Sequence, residues 1–304
     1  MISLHEKGLP VFGITHPAIV AGRGRGMTTG ANPGAAPATP PPLPSLIEAA
    51  RETMAYKFSD FAYDNYSTVN ADRFMGYMAS LIAAGGSMSM HPFLSKVPVI
   101  HDDSEAATAR IVEQLNAGHA GVILQEVESA DEVRTALAAM RFKSKGGTRP
   151  EEGTGLAAAY WGLTAAQYRE KADPWPLNKN GELVLWAIVE SKKGIENVRE
   201  IAAVPGLTVL TVGAGTLGGV FSSTDASGKR VRDEAGFDAG VAAILAACKE
   251  FKLACSHPAN NAAEIEALMA RGFSVFTMQA RNKDGFDAIA AGRRLSKRPL
   301  PTTN

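Results

Sequence analysis

A carboxylate, three histidines, an amide and a turn of small residues are the groups in this chain that could do chemistry together if the fold gathered them. The carboxylate is Glu190, which closes the apolar run "LVLWAIVE". A carboxylate drawn out of water by such a run needs a cation or hydrogen-bond donors, and suits ligand or acid/base work. An ion pair with Lys192 or Lys193 is the structural alternative. His16, His101 and His257, three of the six histidines, also sit at the ends of apolar runs, where an imidazole could serve as general acid or base. Rim packing or helix capping is the competing role for each. Gln125, next to Glu126, could contact a polar substrate. After "LTVLTV" come Gly213, Ala214, Gly215 and Thr216, whose backbone N–H groups could receive an anion.

That turn also fits G-x-G-x-x-G, the fingerprint of a dinucleotide-binding loop. Such a loop needs a helix opening within the glycines. Here no apolar periodicity resumes until about Ala235, so the stretch is expected to be a rim loop instead.

The elements that must position these groups alternate along the chain. Strands are expected at 11–16, 58–64, 97–101, 121–127, 183–190, 207–212, 253–257 and 273–279. Helices are expected at 46–54, 71–82, 105–117, 130–140, 195–202, 235–251, 262–271 and 286–295. "SADE" and "NAAE" read as capping boxes, Gly118 and Gly272 as helix terminators, and Asp102, Asp103 and Ser129 as caps. Eight βα units with non-alternating apolar strands predict an α/β fold, a (β/α)8 TIM barrel in a single domain over 1–304. An open doubly wound sheet is the runner-up. In a barrel the strand ends converge on one mouth.

Two segments depart from the repeat. The Gly/Pro-rich insertion 22–44 after the first strand is expected to be a flexible surface loop, or a lid carrying Arg23 and Arg25. The insertion 143–180 after the fourth helix holds "GLAAAYWGLTAAQYREKA", expected as one extra amphipathic helix. Its Tyr160, Trp161 and Tyr168 are available to pack on a barrel end or another subunit.

Composition excludes several classes. Lys plus Arg equals Asp plus Glu at 31 each, so no global field recruits nucleic acid or an anionic membrane. The N-terminal stretch does not read as a signal peptide and no apolar run has the length of a membrane span, so a soluble, cytoplasmic protein is expected. Cys248 and Cys255 are expected to be separate core thiols.

From the fourth strand onward the chain resembles the HpcH/HpaI aldolase and citrate lyase β-subunit superfamily. The resemblance is carried by "VILQEVESADEVRTALAAMRF", "LVLWAIVESKKGIENVREIAAVPGLTVLTVGAGTLGG" and "LACSHPANNAAEIEALMARGFSVFTMQ". "LHEKGLPVFGITHP" and "YKFSDFAYD" match the first two strands more loosely. The resemblance implies a TIM barrel, often hexameric, that cleaves or forms carbon–carbon bonds in small hydroxy-oxo acids or related carbonyl compounds. It implies a divalent cation (Mg2+, Mn2+ or Co2+) held by Glu190 and by an Asp in the turn after the sixth strand. It also implies that this turn binds the substrate carboxylate. Thr216 stands at the position of that Asp, which puts the cation in doubt. The family's basic His falls near Ser67, its substrate-binding Arg near His101 or Asp102, and the Gln two before the metal-binding Glu is Ile188. A divergent lyase is the first reading. A hydratase or other lyase without the usual metal, and a binding or scaffold protein that has lost catalysis, are the alternatives.

Overall fold

A computed structural model describes residues 1–17, 45–64 and 71–300. The expected loop 22–44, with Arg23 and Arg25, lies outside the described residues, as does Ser67. Ten strands are formed among the described residues: β1 (Val11–Thr15), β2 (Phe61–Asp64), β3 (Phe93–Lys96), β4 (Gly121–Leu124), β5 (Val184–Val189), β6 (Val209–Val212), β7 (Ser222–Thr224), β8 (Arg230–Arg232), β9 (Ala254–Ala259) and β10 (Val275–Met278). Eight of them close a parallel barrel in the order β1-β2-β3-β4-β5-β6-β9-β10, with β10 returning to β1. Closure decides against the open sheet. β7 and β8 form a separate antiparallel hairpin.

The barrel follows from strand alternation, which sends every second side chain inward. Val11, Phe61, Tyr63, Leu94, Ile123, Val184, Trp186, Ile188, Val209, Ala254 and Val275 form the inner cluster. The opposite faces, with Phe12, Ile14, Leu185, Leu210 and Phe276, pack under the helices in the larger outer core. Met1, Ile2 and Leu4 of the N-terminal helix pack against the inner cluster from the end where the strands begin. Two of the three expected caps are present: Asp103 accepts from Ala106 N–H at 2.9 Å, and Ser129 Oγ from Glu132 N–H at 3.4 Å. Asp102 is not one, because the residue after it holds the N-cap position; it lies 3.9 Å from His101 Nε2 instead.

Three expectations are corrected. The third strand is not 97–101 but Phe93–Lys96, because Pro98 has no N–H for a ladder buried between two neighbours. The insertion helix is two helices, Gly155–Trp161 and Ala165–Lys171, split where Gly162 adopts φ 67°. Its aromatic side chains pack on their own chain: Tyr160 Oη donates to His91 O, Trp161 Nε1 to Gly118 O and Tyr168 Oη to Leu115 O. Arg149 is buried within the same insertion, donating to Asn116 and Tyr168 with its guanidinium 4.4 Å from the Phe142 ring centroid. Finally, Cys248 and Cys255 are joined as a disulfide. The turn through Lys252, at φ 57°, folds the end of helix Glu234–Phe251 back onto β9 and brings their Cα atoms within 5.6 Å.

A candidate active site at the barrel mouth

Glu190 follows the last residue of β5 and is only 8% exposed. Its inward direction follows the alternation of Trp186 and Ile188. One carboxylate oxygen accepts the Glu126 N–H at 3.2 Å, and the Thr216 hydroxyl is a second hydrogen-bond partner. Burial lifts the Glu190 carboxyl above its ordinary range. The Thr216 hydroxyl, the positive charge of Lys96 and the Glu126 N–H oppose that rise, while the Glu126 carboxylate adds to it. The structural alternative for Glu190 is overturned, since Lys193 pairs with Glu128 at 3.1 Å and Lys192 lies over the Phe221 ring.

Two backbone features make room for this carboxylate. Glu126 adopts φ 49°, a left-handed conformation uncommon outside glycine, and its N–H meets Glu190. Gly213 lies so close that a Cβ there would press on Glu190 Cβ and stand 2.7 Å from Oε2. Glycine is therefore demanded by clearance. The Gly213 N–H is already committed to Val189 O at 3.0 Å, so it is not a donor for substrate.

The turn itself differs from expectation. Ala214–Val220 forms a helix, anchored by buried Leu217, where none was expected before Ala235. Ala214, Gly215 and Thr216 are its first three residues, whose N–H groups have no carbonyl one turn back to receive them. The glycine motif still lies in a closed barrel between β5 and β9, not in a dinucleotide fold.

Lys96 is the residue that sequence reasoning missed. It ends β3, two residues after inward-facing Leu94, and interacts electrostatically with Glu190 and Glu126 across the mouth. Burial lowers the Lys96 ammonium below its ordinary range, and the two carboxylates oppose that fall. The cationic position ending the third strand is thus Lys96, not His101 or Asp102. Pro98 was the available signal, because it argues the strand must stop earlier.

The histidines do not join this group. His16 is buried on the outer face of β1 against Phe74, Tyr77 and Phe93. His257, on the outer face of β9, packs on Phe273, and burial pushes its pKa down. Both follow the parity of their strands, which turns even positions of β1 and odd positions of β9 toward the helices. His101 lies in the turn before helix Ser104–Asn116, with Nδ1 3.1 Å from Glu132, so it braces helix N-termini at the rim. Gln125 donates its amide to Val97 O at 2.7 Å and ties β4 to the segment after β3.

Beneath Glu190, Thr211 and Ser256 are register partners on β6 and β9. They share the inward parity of Val209 and Ala254. Both are buried, and neither hydroxyl has a hydrogen-bond partner. A buried orphan hydroxyl is normally matched by water or a ligand.

Among the described residues, the side chains at the mouth do not assemble a three-ligand set for a resident dication. Among the described residues no group of three or more His, Cys, Asp or Glu side chains could hold a metal ion. Glu190 already meets an N–H and a hydroxyl and feels the charge of Lys96, and Thr216 is a neutral donor where a hard cation favours carboxylates.

Comparison with known proteins places these features in company. The family model described as HpcH/HpaI aldolase/citrate lyase matches residues 94–286. A hydroxypyruvate/pyruvate aldolase of Paraburkholderia phytofirmans is 29% identical over 171 residues, 52% of this chain and 63% of that relative. The match therefore spans less than two thirds of the relative's length. An HpcH/HpaI aldolase/citrate lyase family protein from Burkholderia cenocepacia J2315 superposes with a TM-score of 0.66 at 19% identity, covering 98% of this chain and 99% of its own. Protein CitE from Mycobacterium tuberculosis, solved with magnesium and acetate, is 14% identical with a TM-score of 0.50 over 94% of this chain and 92% of its own. At such identities both structures speak for the fold.

Proposed function

Because this chain belongs to the HpcH/HpaI aldolase/citrate lyase family, we propose that it is an aldolase-type carbon–carbon lyase acting on a small hydroxy-oxo acid, at the mouth formed by Glu190, Lys96 and Thr216. The observation that carries the reading is that Glu190 and Lys96 stand at inward-facing strand ends on the same mouth and interact through their charges. The aldolase activity printed for the Paraburkholderia relative supports the reaction class.

Retro-aldol cleavage removes a proton from a substrate hydroxyl, breaks the neighbouring carbon–carbon bond and leaves charge on an enolate-like fragment. Here the positive charge of Lys96 would attract the oxo-acid end of the substrate. The N–H groups of Ala214, Gly215 and Thr216 would receive its carboxylate, as the family resemblance suggests for this turn. Glu190, whose pKa burial raises, would carry the proton at the reacting oxygen. Magnesium in the Mycobacterium tuberculosis structure supports testing a dication, and bound to a carbonyl oxygen such an ion polarises it. No step above depends on one. Homo-oligomeric assembly is part of the same family reading, and light scattering of the purified protein measures it.

The test is direct. Purified protein is incubated with a panel of 4-hydroxy-2-oxo acids and release of pyruvate or its homologue is followed, with and without EDTA and added Mg2+ or Mn2+. Cleavage of at least one member, abolished by Glu190→Gln, is expected. A folded protein that binds these acids without cleaving any of them would instead be a binding protein.

A further inference from the structure

We propose that Arg230, on the β7–β8 hairpin, is a substrate-binding residue that selects hydroxy-oxo acids carrying a second anionic group, a carboxylate or a phosphate, at the end remote from the oxo acid. The inference deepens the lyase reading above and rests on it. β7 and β8 pair from Ser222 with Arg232 to Thr224 with Arg230. Asp225 knits the turn between them, accepting from the N–H groups of Ser227 and Lys229 at 2.8 and 3.0 Å. Strand alternation sends Arg230 and Arg232 to the same face of β8. That face lies on the helix Ala214–Val220, where two glycines leave room for the guanidinium groups. Arg230 Nη2 is 3.0 Å from the point that a Cβ on Gly219 would occupy, and Arg232 Nη1 is 3.5 Å from the corresponding point on Gly218.

The two glycines stand differently to the mouth. Thr216, whose hydroxyl bonds Glu190, is three residues before Gly219 and two before Gly218. Helix positions three apart are neighbours on one face, and positions two apart are not. Arg230 is therefore the arginine on the mouth side. Neighbouring Cβ positions of that kind are about 5–6 Å apart, so the Arg230 guanidinium stands within roughly 9 Å of Thr216. That reach suits a chain of about five to six carbons with an anionic group at each end.

The charges around the hairpin leave the same residue over. Arg232 pairs with Glu234 at 2.6 Å and lies 4.7 Å from the Phe237 ring centroid. Asp225 closes the turn, and Asp233 accepts from Gly236 N–H at 2.9 Å as a helix cap. Across the rim, Glu128 is held by Ser191 and Lys193. Among the described residues Arg230 has no carboxylate, hydrogen bond or ring as its partner, so its counter-charge must come from outside the chain. A planar guanidinium takes a carboxylate or phosphate through two parallel N–H donors. In the cleavage this anion stays on the aldehyde half, and no bond to it forms or breaks.

The test compares three substrates that all release pyruvate: 4-hydroxy-2-oxohexanoate, 4-hydroxy-2-oxohexanedioate and 4-hydroxy-2-oxo-5-(phosphonooxy)pentanoate. Wild type should cleave an anion-ended member with kcat/KM at least ~10-fold above the methyl-ended one, and the advantage should shrink with added KCl. Whichever of the two anions gains more names the group that the site takes. Arg230→Ala should bring the ratio to about one, with the loss carried by KM, and Arg230→Lys should restore part of it. Arg232→Ala, on the far side of the helix, should keep the ratio. A ratio near one in wild type, or a ratio that survives Arg230→Ala, overturns the assignment of Arg230 and leaves the lyase standing. Absence of cleavage of all three, with or without Mg2+, overturns the lyase reading and this one with it.

Discussion

The two ends of the barrel lumen are built from opposite materials. Where the strands begin, Val11, Val184, Trp186 and Val209 pack on one another, and Met1, Ile2 and Leu4 close them off. Where the strands end, the lumen holds Lys96, Glu190 and the Thr216 hydroxyl above the orphan pair Thr211 and Ser256. The first end removes apolar surface from water and stabilises the fold. The second leaves buried polar groups dependent on one another or on a guest, which opposes stability. This division is the expected one for a parallel barrel, whose loops at the C-terminal end can vary without disturbing the closed layer beneath. The family's chemistry and the family's scaffold therefore answer to different residues.

The sharpest attack on that division is Trp186→Ala. Trp186 is 2% exposed and packs edge-on against Phe61 in the dry end. Its removal leaves a cavity and should cost about 3–5 kcal/mol in urea-unfolding stability. Activity per folded molecule should survive. A stable variant with dead chemistry would show that the two ends are one unit.

Glu190→Gln should do the reverse. Cleavage should fall by roughly 100-fold or more, as for loss of a general acid/base. The unfolding midpoint should hold or rise, because an amide is less costly to bury than a carboxylate. Retained activity in steady-state assays would remove Glu190 from the reaction.

The same contrast decides what could be read from sequence. Most of the eight βα units were legible because their strands are largely apolar and non-alternating, and their number pointed to a barrel, but closure itself is seen only in the strand pairing. Glu190 was legible because it ends the longest of those runs. Lys96 was not, since "VPVIH" outscored "FLSK" as an apolar stretch and Pro98 was read past. His16 and His257 misled for a different reason: position at a strand end does not say which face a side chain takes, and one residue of parity turns it toward the helices. His16 and His257 sit under helices, His101 braces the rim, and the amine that was overlooked faces the mouth.

A smaller effect tests the floor of the mouth. Thr211→Val replaces an unpartnered buried hydroxyl by a methyl group of similar shape. It should raise stability by about 1 kcal/mol in chemical denaturation, because the hydroxyl's lost hydration is no longer uncompensated. A loss of that size would mean that the hydroxyl is satisfied in solution by a bound water, and the lumen floor would then be part of the stabilising end.

The finest test is the pH dependence that Glu190 gives to folding. Its folded pKa is raised from the ordinary value of 4.5, chiefly by burial. Between that ordinary value and the raised one, the folded chain binds more protons than the unfolded chain, so stability falls as pH rises through this window. Glu190→Gln should remove that slope in urea titrations run from acid to neutral pH, while Lys96, held below its ordinary range, adds a slope of opposite sign in the window that closes at its ordinary value of 10.5. Should wild type instead gain stability over the acid window relative to the variant, the Thr216 hydroxyl, the Lys96 charge and the Glu126 N–H would outweigh burial. The mouth would then be a site built to hold an anion, with Glu190 ionised throughout and unable to supply the proton that carbonyl chemistry requires.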